Sequence, residues 1–418
     1  MKTIALPGGL LWMISAVSMA ADHREMPPSA WSVHGVLELQ LSQTDSLDTW
    51  LNDGGTGKFR FDNSDNKQLK PGSNGLHIRY ELAATSKLHG VALYNHDPDR
   101  ELAVTELFWH YRPLPDGAWR HDYKAGSFYP PMSLENTAPL WTSPYSVTPS
   151  VINSWIGEEL RTLGVQGRWT HRGRYSGSPH DVTLTAALFG GNDPTGALLA
   201  WRGWVKTDRQ TGLGQAVAIA DLPTFAPGQV FAKQDREIAP FREIDNRPGF
   251  YVGTEWSYQQ RFKLGALYYD NQADASLLED GQYAWRTRFS HLSMRLSFAD
   301  SWQLLGQIID GDTRMGPGAM VDAPFRAAYL MLVKKRQQQR LSLQIEEFAV
   351  KDSDTTAMDS NNERGTAATA AWSFRPVRQW QLTLQGSYIE SNRKQRHYTG
   401  LDTNTHDTQL LGSARYHW

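Results

Sequence analysis

Asp407-Thr408-Gln409-Leu410-Leu411-Gly412-Ser413-Ala414-Arg415-Tyr416-His417-Trp418, the carboxy-terminal stretch, decides the fold. Leu410, Gly412, Ala414, Tyr416 and Trp418 fall on one side of an extended chain, and Gln409, Ser413, Arg415 and His417 on the other. Successive strand side chains point to opposite faces, so this alternation marks a strand with one apolar and one polar face. In water the apolar face needs a core; in a bilayer it faces lipid.

Working back from the end, Trp380, Leu382, Leu384, Gly386 and Tyr388 repeat the pattern against Gln381, Thr383, Gln385 and Ser387. Trp302, Leu304, Gly306 and Ile308 do the same, as do Phe250, Val252, Thr254, Trp256 and Tyr258, and, near the start, Val33, Leu37, Leu39 and Leu41 against His34, Glu38 and Gln40. About sixteen such segments, of the roughly 9–11 residues that a tilted membrane strand needs, follow one another. They lie near 33–41, 75–84, 87–95, 101–111, 119–128, 159–170, 181–190, 250–259, 261–270, 289–298, 301–310, 324–334, 339–350, 364–374, 378–390 and 407–418. An even count suits a closed antiparallel barrel. The links alternate as well: tight ones at 85–86, 112–118, 260, 299–300, 335–338 and 375–377, and long polar ones at 42–74, 129–158, 191–249, 311–323, 351–363 and 391–406. Outer-membrane barrels have this asymmetry of short turns on one side and long loops on the other. Around 271–288, Trp285-Arg286-Thr287-Arg288-Phe289 runs out of phase with Leu292, Met294, Leu296 and Phe298, which predicts a bulge or a longer, bent strand.

Composition agrees. The 418 residues carry a net charge of −2, 16 Trp, 16 Tyr and no cysteine, with a mean hydropathy of −0.51. That excludes a multi-span helical protein, a disulfide scaffold and a cysteine-ligated metal site. No basic domain stands out, so no nucleic-acid partner is expected. Lys2, the apolar run Ile4 to Val17 and Ser18-Met19-Ala20 describe a secretory signal peptide over 1–20. The mature chain, 21–418, then forms an all-β transmembrane antiparallel barrel of the outer membrane. An exported β-sandwich or propeller would also alternate, but would lack the two-sided loop asymmetry. Nor would it place aromatic residues at the row ends as Trp31, Trp109, Tyr111, Trp119, Trp169, Trp302, Trp380, Tyr388, Tyr416 and Trp418 stand here.

About sixteen strands enclose a lumen wide enough for water. Parity assigns Arg79, Arg120, Lys124, Arg168, Lys263, Arg295, Arg326, Lys334, Arg340 and Arg415 to its wall as basic residues, and Glu38, Glu81, Glu106, Asp122, Glu158, Glu255 and Glu346 as acids. A porin function follows, passive diffusion of small hydrophilic solutes with a mild anion preference. The bland role of each charge is to brace the wall in Arg–Glu pairs. The loop 129–157 is proline-rich, holds no Lys or Arg, and is more apolar than an exposed loop, so it is expected to fold inward and constrict the pore. Tyr129, Glu135, Asn136, Trp141, Tyr145, Asn153, Trp155 and Glu158 are its candidate residues. The longer loop 191–249 is expected to be extracellular, with a short helix at Leu198-Leu199-Ala200-Trp201.

The run Gly126-Ser127-Phe128-Tyr129-Pro130-Pro131-Met132-Ser133-Leu134-Glu135-Asn136, then Trp141-Thr142-Ser143-Pro144-Tyr145 and Asn153-Ser154-Trp155-Ile156-Gly157-Glu158-Glu159-Leu160-Arg161-Thr162, resembles proteobacterial outer-membrane porins. It is most similar to their phosphate-selective porin O and P group. The resemblance implies a sixteen-stranded homotrimer with an inward constriction loop. Phosphate-selective members carry arginines and lysines along the pore, which the 129–157 loop lacks. The ending Tyr416-His417-Trp418 is similar to the aromatic-ended last strand read by the barrel-assembly machinery.

Other classes are weaker. His110, His121, Asp122 and Ser127 could be assembled into a catalytic set, but no Gly-x-Ser-x-Gly, His-Glu-x-x-His or phosphate-loop motif occurs, so no enzyme and no cofactor are expected. A substrate-specific channel for sugars or aromatic solutes would use Trp141, Tyr145 and Trp155 as a stacking slide; their bland role is to anchor the loop. Asp62-Asn63-Ser64-Asp65 and Asp310-Gly311-Asp312 are oxygen-rich without completing a calcium loop, so no metal is expected.

Overall fold

The structure, a computed structural model, describes residues 30–52, 54–64, 67–94 and 102–418. The leader expected over 1–20 lies outside the described residues. The barrel strands are β1 (Trp31–Thr44), β2 (Asn74–Ala83), β3 (Ser86–Tyr94), β4 (Leu102–Tyr111), β5 (Trp119–Phe128), β6 (Thr162–Arg172), β7 (His180–Gly190) and β8 (Gly249–Tyr258). They continue as β9 (Phe262–Asp270), β10 (Trp285–Phe298), β11 (Trp302–Met315), β12 (Val321–Arg336), β13 (Gln339–Val350), β14 (Glu363–Phe374), β15 (Trp380–Arg393) and β16 (Asn404–His417). Each pairs antiparallel with its neighbours in sequence, and β16 returns to β1 with Leu39 opposite Ala414, which closes the sheet. Every segment read from the sequence is a strand, and among the described residues no helix is long and apolar enough to cross a membrane.

Closure explains the alternation. With no edge left, each strand is hydrogen-bonded to a neighbour on both sides, as a bilayer demands. The outer rows stay exposed: Leu37, Leu39 and Leu41 on β1, Leu382 and Leu384 on β15, Leu410 on β16. Between them the other rows are buried, for example Gln381, Thr383, Gln385 and Ser387. At the short-turn end the outer aromatics stack in pairs, Trp109 on Tyr111 at 5.6 Å and Trp380 against Tyr416 at 5.1 Å. Such a belt suits a membrane interface. Outside β11–β16 the wall is dented by a cavity of about 1060 Å³, where Ala370 and Gly386 leave room among Leu330, Leu343, Ile345 and Leu410. One glycine is required by close approach: Gly126 has a φ of 127°, and a Cβ there would stand 2.3 Å from the Leu107 carbonyl oxygen.

Of the two alternatives expected around 271–288 the longer strand is found: β10 runs without a bulge from Trp285 to Phe298, in continuous register with β9 and β11. Trp285, Thr287, Phe289 and His291 all face inward, and Arg286 and Ser290 outward. The apparent loss of phase arises because the inner row is apolar at this end. Arg326, against expectation, is not a lumen residue. It stands on the exposed row of β12 with Leu330, opposite Asp310, while Phe325, Ala327, Tyr329, Met331 and Val333 form the buried row. Both rows of β12 are apolar, so parity could not choose between them. Lys334 shares the outer row and lies over the Trp302 ring at 4.7 Å.

Candidate functional site

The inner face has two halves. Toward the long loops it is apolar: Tyr251, Tyr269, Trp285, Phe289, Phe325, Tyr329 and Phe348 join one hydrophobic cluster with Trp50, Phe59, Trp155, Ile156, Trp201 and Trp204. These last residues belong to 45–64, 129–161 and 191–248, so three connecting segments are packed on the buried rows of the wall. The helix α1 (Val151–Glu159) is buried at every residue, its start capped by Ser150, whose side chain accepts the Asn153 amide. The sixth strand therefore begins at Thr162, later than alternation predicts. In the 191–248 segment, Ala197–Trp201 is the short helix α2, also fully buried, and its Trp201 meets Trp285 edge-on at 4.8 Å. The short helix expected at 198–201 is thus present, and its apolar residues are what is buried.

Residues 129–161 are tied to the wall by polar contacts. Gln307 accepts the Leu134 amide at 3.1 Å and donates to the Met132 carbonyl at 3.1 Å, Gln385 accepts the Val147 amide at 2.8 Å, and Glu346 accepts the Val151 amide at 2.7 Å. Gln344 donates to Glu135, whose carboxylate also takes the Ser150 amide at 2.8 Å and the Asn153 side chain at 3.2 Å. Arg340 donates to the Pro144 carbonyl. Asn136 donates to the Trp141 carbonyl at 2.8 Å. Thus six of the eight candidate loop residues are fastened or packed within the loop and wall. The other two bind 191–248: Tyr129 donates to Gln210 at 2.7 Å, and Glu158 accepts Arg202 at 2.6 Å with Arg209 at 3.7 Å.

The stacking-slide reading fails for Trp155. It is 2 % exposed, edge-on to Phe325 at 5.3 Å and Phe289 at 5.6 Å, and its indole N–H donates to Glu159. Trp141 lies flat on Tyr129 at 4.0 Å, with Arg161 over the other ring at 3.5 Å, and Arg340 covers Tyr145 at 5.2 Å. These rings hold the segment together, the bland role weighed in the sequence.

Burial shapes the charges of these segments. Burial, and after it the neighbouring Glu346, pushes the Glu135 carboxyl up to about 7, against the Ser150 hydrogen bonds and Lys206; burial pushes Glu159 to about 7 too, and Lys58 down to about 7. The folded chain therefore keeps the Glu135 and Glu159 protons that the unfolded chain releases above pH 4.5. Stability contributed there is full below pH 4.5 and is lost as pH rises to about 7. Lys58 acts oppositely: the unfolded chain binds its proton up to about 10.5, so its contribution grows with pH only above about 7. Protection factors in 129–161, exchange rates corrected for the base catalysis that quickens every amide as pH rises, are accordingly expected to fall between pH 4.5 and 7, and less so in Glu135→Gln.

Toward the short turns the inner face is polar. Arg79, Arg120 and Arg168 have side chains 37 %, 35 % and 30 % exposed on the inner rows of β2, β5 and β6. Lys124, Lys263 and Arg295 share this wall. Its acids sit between the bases: Glu81 takes Lys87 at 2.7 Å, Asp122 takes Arg112 at 2.5 Å and Arg120 at 3.3 Å, and Glu255 takes Lys263 at 2.8 Å and Arg168 at 3.4 Å. Arg415 and Glu38 form a buried pair at 3.0 Å across β16 and β1.

The remaining sequence candidates separate. His110 and Asp122 meet at 3.0 Å on the inner wall, but His121 is on the outer row beside Tyr123, so they form no catalytic set with Ser127. Asp62 accepts Ser64, Gln68 and Asn52, and Asp312 pairs with Arg288 at 2.9 Å and Arg314 at 3.4 Å. Carboxylate oxygens of Asp193, Glu243 and Asp245 lie within 4.8 Å of one another. Those of Asp193 and Glu243 accept the amides of Ile244, Gly191 and Asn246, which orders the turn.

The fold and its wall define a class: a closed sixteen-stranded barrel of outer-membrane type, apolar outside and charged within. No protein-family model matches the chain, and no curated protein matches it in sequence. Solved structures do match in fold. The outer membrane channel DcaP of Acinetobacter baumannii superposes with a TM-score of 0.56 at 12 % identity, over 93 % of this chain and 97 % of that one. The anion-selective porin from Comamonas acidovorans matches with a TM-score of 0.50 at 8 % identity, over 93 % and 99 %. OmpT, an outer membrane protein of Vibrio cholerae, matches at 0.50 with 9 % identity, over 94 % and 99 %.

Proposed function

We propose that the protein is an outer-membrane channel through which small hydrophilic solutes diffuse, with a mild preference for anions. The observation that carries this reading is the partly exposed Arg79, Arg120 and Arg168, which with Lys87 and Lys263 outnumber the partly exposed acids Glu81 and Glu255 on the same wall. Lumen charges with low-dielectric walls behind them raise the local concentration of counter-ions. In this reading 129–157 narrows the lumen, 191–249 lies at the extracellular mouth and covers it, and residues 1–20 direct export. The likeness of 126–162 to the porin O and P group supports the channel class; the absence of Lys and Arg from 129–157 speaks against a phosphate-specific constriction. Trp418, exchanging backbone hydrogen bonds with Gly35 at 3.2 and 3.3 Å, would carry the signal to the assembly machinery. The test is planar-bilayer conductance of the purified protein: ion-selective current supports the channel, and absence of current refutes it.

The same reading includes a homotrimer, with the dent outside β11–β16 as the packing face. A Cβ on Gly386 would meet nothing within 4 Å, so Gly386→Trp fills the dent without straining the barrel. It is expected to convert trimers to monomers in native mass spectrometry; an unchanged trimer would remove this face from the assembly.

A further inference from the structure

A band of imidazoles crosses the inner wall at the short-turn end, and the channel reading does not use it. His34 on β1 is the direct cross-strand partner of His77 on β2, with ring centres 6.5 Å apart. His77 then meets His89 on β3, Nε2 to Nδ1 at 3.1 Å, with ring centres 5.3 Å apart. His110 on β4 follows, its ring 5.8 Å from His89. The His89 ring is held flat against Phe108 at 4.8 Å, which fixes the direction of its nitrogens.

Three features make this more than a row of polar side chains. First, the contact distance is a chelating one. A metal ion about 2.0–2.1 Å from each imidazole nitrogen separates two such ligands by about 2.9 Å at a right angle and about 3.4 Å at the tetrahedral angle. The observed 3.1 Å falls between these values, so a metal can replace the bridging proton with little movement. Second, Nδ1 is the His89 nitrogen that meets a polar neighbour, while Nε2 on the other side of the ring is buried without a hydrogen-bond partner. Third, the local charge includes an acid that a bulge turns away from the outer row, its carboxylate accepting the Tyr129 amide at 3.4 Å. The register of β3 with β4 shifts between Val91 and Ala92, where Val91 faces Glu106 and Ala92 faces Val104. That bulge moves Glu106 off the outward row of Leu102 and Val104. Arg79, opposite His89 in register, and Lys124, over Phe108 at 4.6 Å, oppose a cation, while Glu106, Glu81 and Asp122 favour it.

The geometry points to a transition-metal site in the lumen wall, with His77 Nε2 and His89 Nδ1 as protein ligands and water completing the shell. Two neutral imidazoles and water suit a borderline divalent ion, and the stability order places Cu²⁺ above Ni²⁺ and Zn²⁺. His34 and His110 flank the pair on either side and extend the band toward the turns.

The test is independent of conductance. Cu²⁺ chloride is titrated into the purified, detergent-folded barrel carrying His23→Ala, which removes a competing imidazole near the amino terminus, and binding is followed by electron paramagnetic resonance. One Cu²⁺ per chain with coupling to two nitrogens is expected. His77→Gln and His89→Gln should each remove one nitrogen and weaken binding by more than about tenfold, whereas His171→Gln, edge-on to Trp119 on the outer face, should change neither. Heat-modifiability in gel electrophoresis confirms that each variant is folded, and the parent spectrum alone decides if one is not. A parent spectrum without nitrogen coupling, or binding indifferent to both substitutions, overturns the site.

Discussion

Trp155→Ala is expected to accelerate amide exchange across α1 by roughly two to nearly four orders of magnitude, the equivalent of a Trp-to-Ala core truncation costing about 3–5 kcal/mol. The indole is a junction of the interior. It touches Phe289 and Phe325 on the wall and Trp204 on the 191–248 segment, each edge-on within 6.0 Å. Its removal opens a cavity where helix, wall and second segment meet, and the barrel's own ladder of hydrogen bonds cannot close it. The barrel strands should stay protected while α1 loosens. The same variant is expected to conduct more than the parent, because α1 is packed on the wall it would leave. Hydrogen exchange with mass spectrometry on proteoliposomes measures the first effect, and single-channel recording the second.

Lys206→Met is expected to cost about 3–5 kcal/mol, because it strands a buried carboxylate. Lys206 and Glu346 form an ion pair with both side chains fully buried, and Lys206 also donates to the Pro149 carbonyl at 3.1 Å. Glu135 is the nearby second acid, bridged through Gln344. Adding Glu346→Gln should restore much of the loss, since a neutral amide still accepts the Val151 amide and no longer needs a counter-charge. Urea midpoints of the single and double variants test this. If the double variant is as unstable as the sum of both singles, the pair is not coupled.

The strands were legible because a run of apolar residues marks the outer row, Trp380 to Tyr388 on β15 and Trp119, Tyr123 and Ala125 on β5, whether the inner row is Gln and Ser, as on β15, or Arg and Asp, as on β5. The short turns and the inward-facing charges followed from the same parity. Parity fails where both rows are apolar. On β12 it misplaced Arg326, and on β10 it mistook Trp285 and Phe289 for a change of phase. The cause is that at the long-loop end three connecting segments pack their tryptophans against the buried rows of the wall, which present aromatic residues to them. Trp50, Trp201 and Trp204 carried the signal in the sequence, as apolar residues stranded in otherwise polar loops. Their partners across the lumen are far away in sequence and could not be read from it. The histidine band was equally hidden, since His34, His77, His89 and His110 become neighbours only through strand register.

The central claim is a channel whose accessible wall is basic. Reversal potential across a planar bilayer in a KCl gradient tests it most directly, with the parent compared to the variant carrying Arg168→Gln and Lys263→Gln, which leaves Glu255 without its two bases. The parent should favour chloride over potassium, and the variant should lose or invert that preference at unchanged fold. A parent that favours potassium, or a variant with the same reversal potential as the parent, would contradict the account.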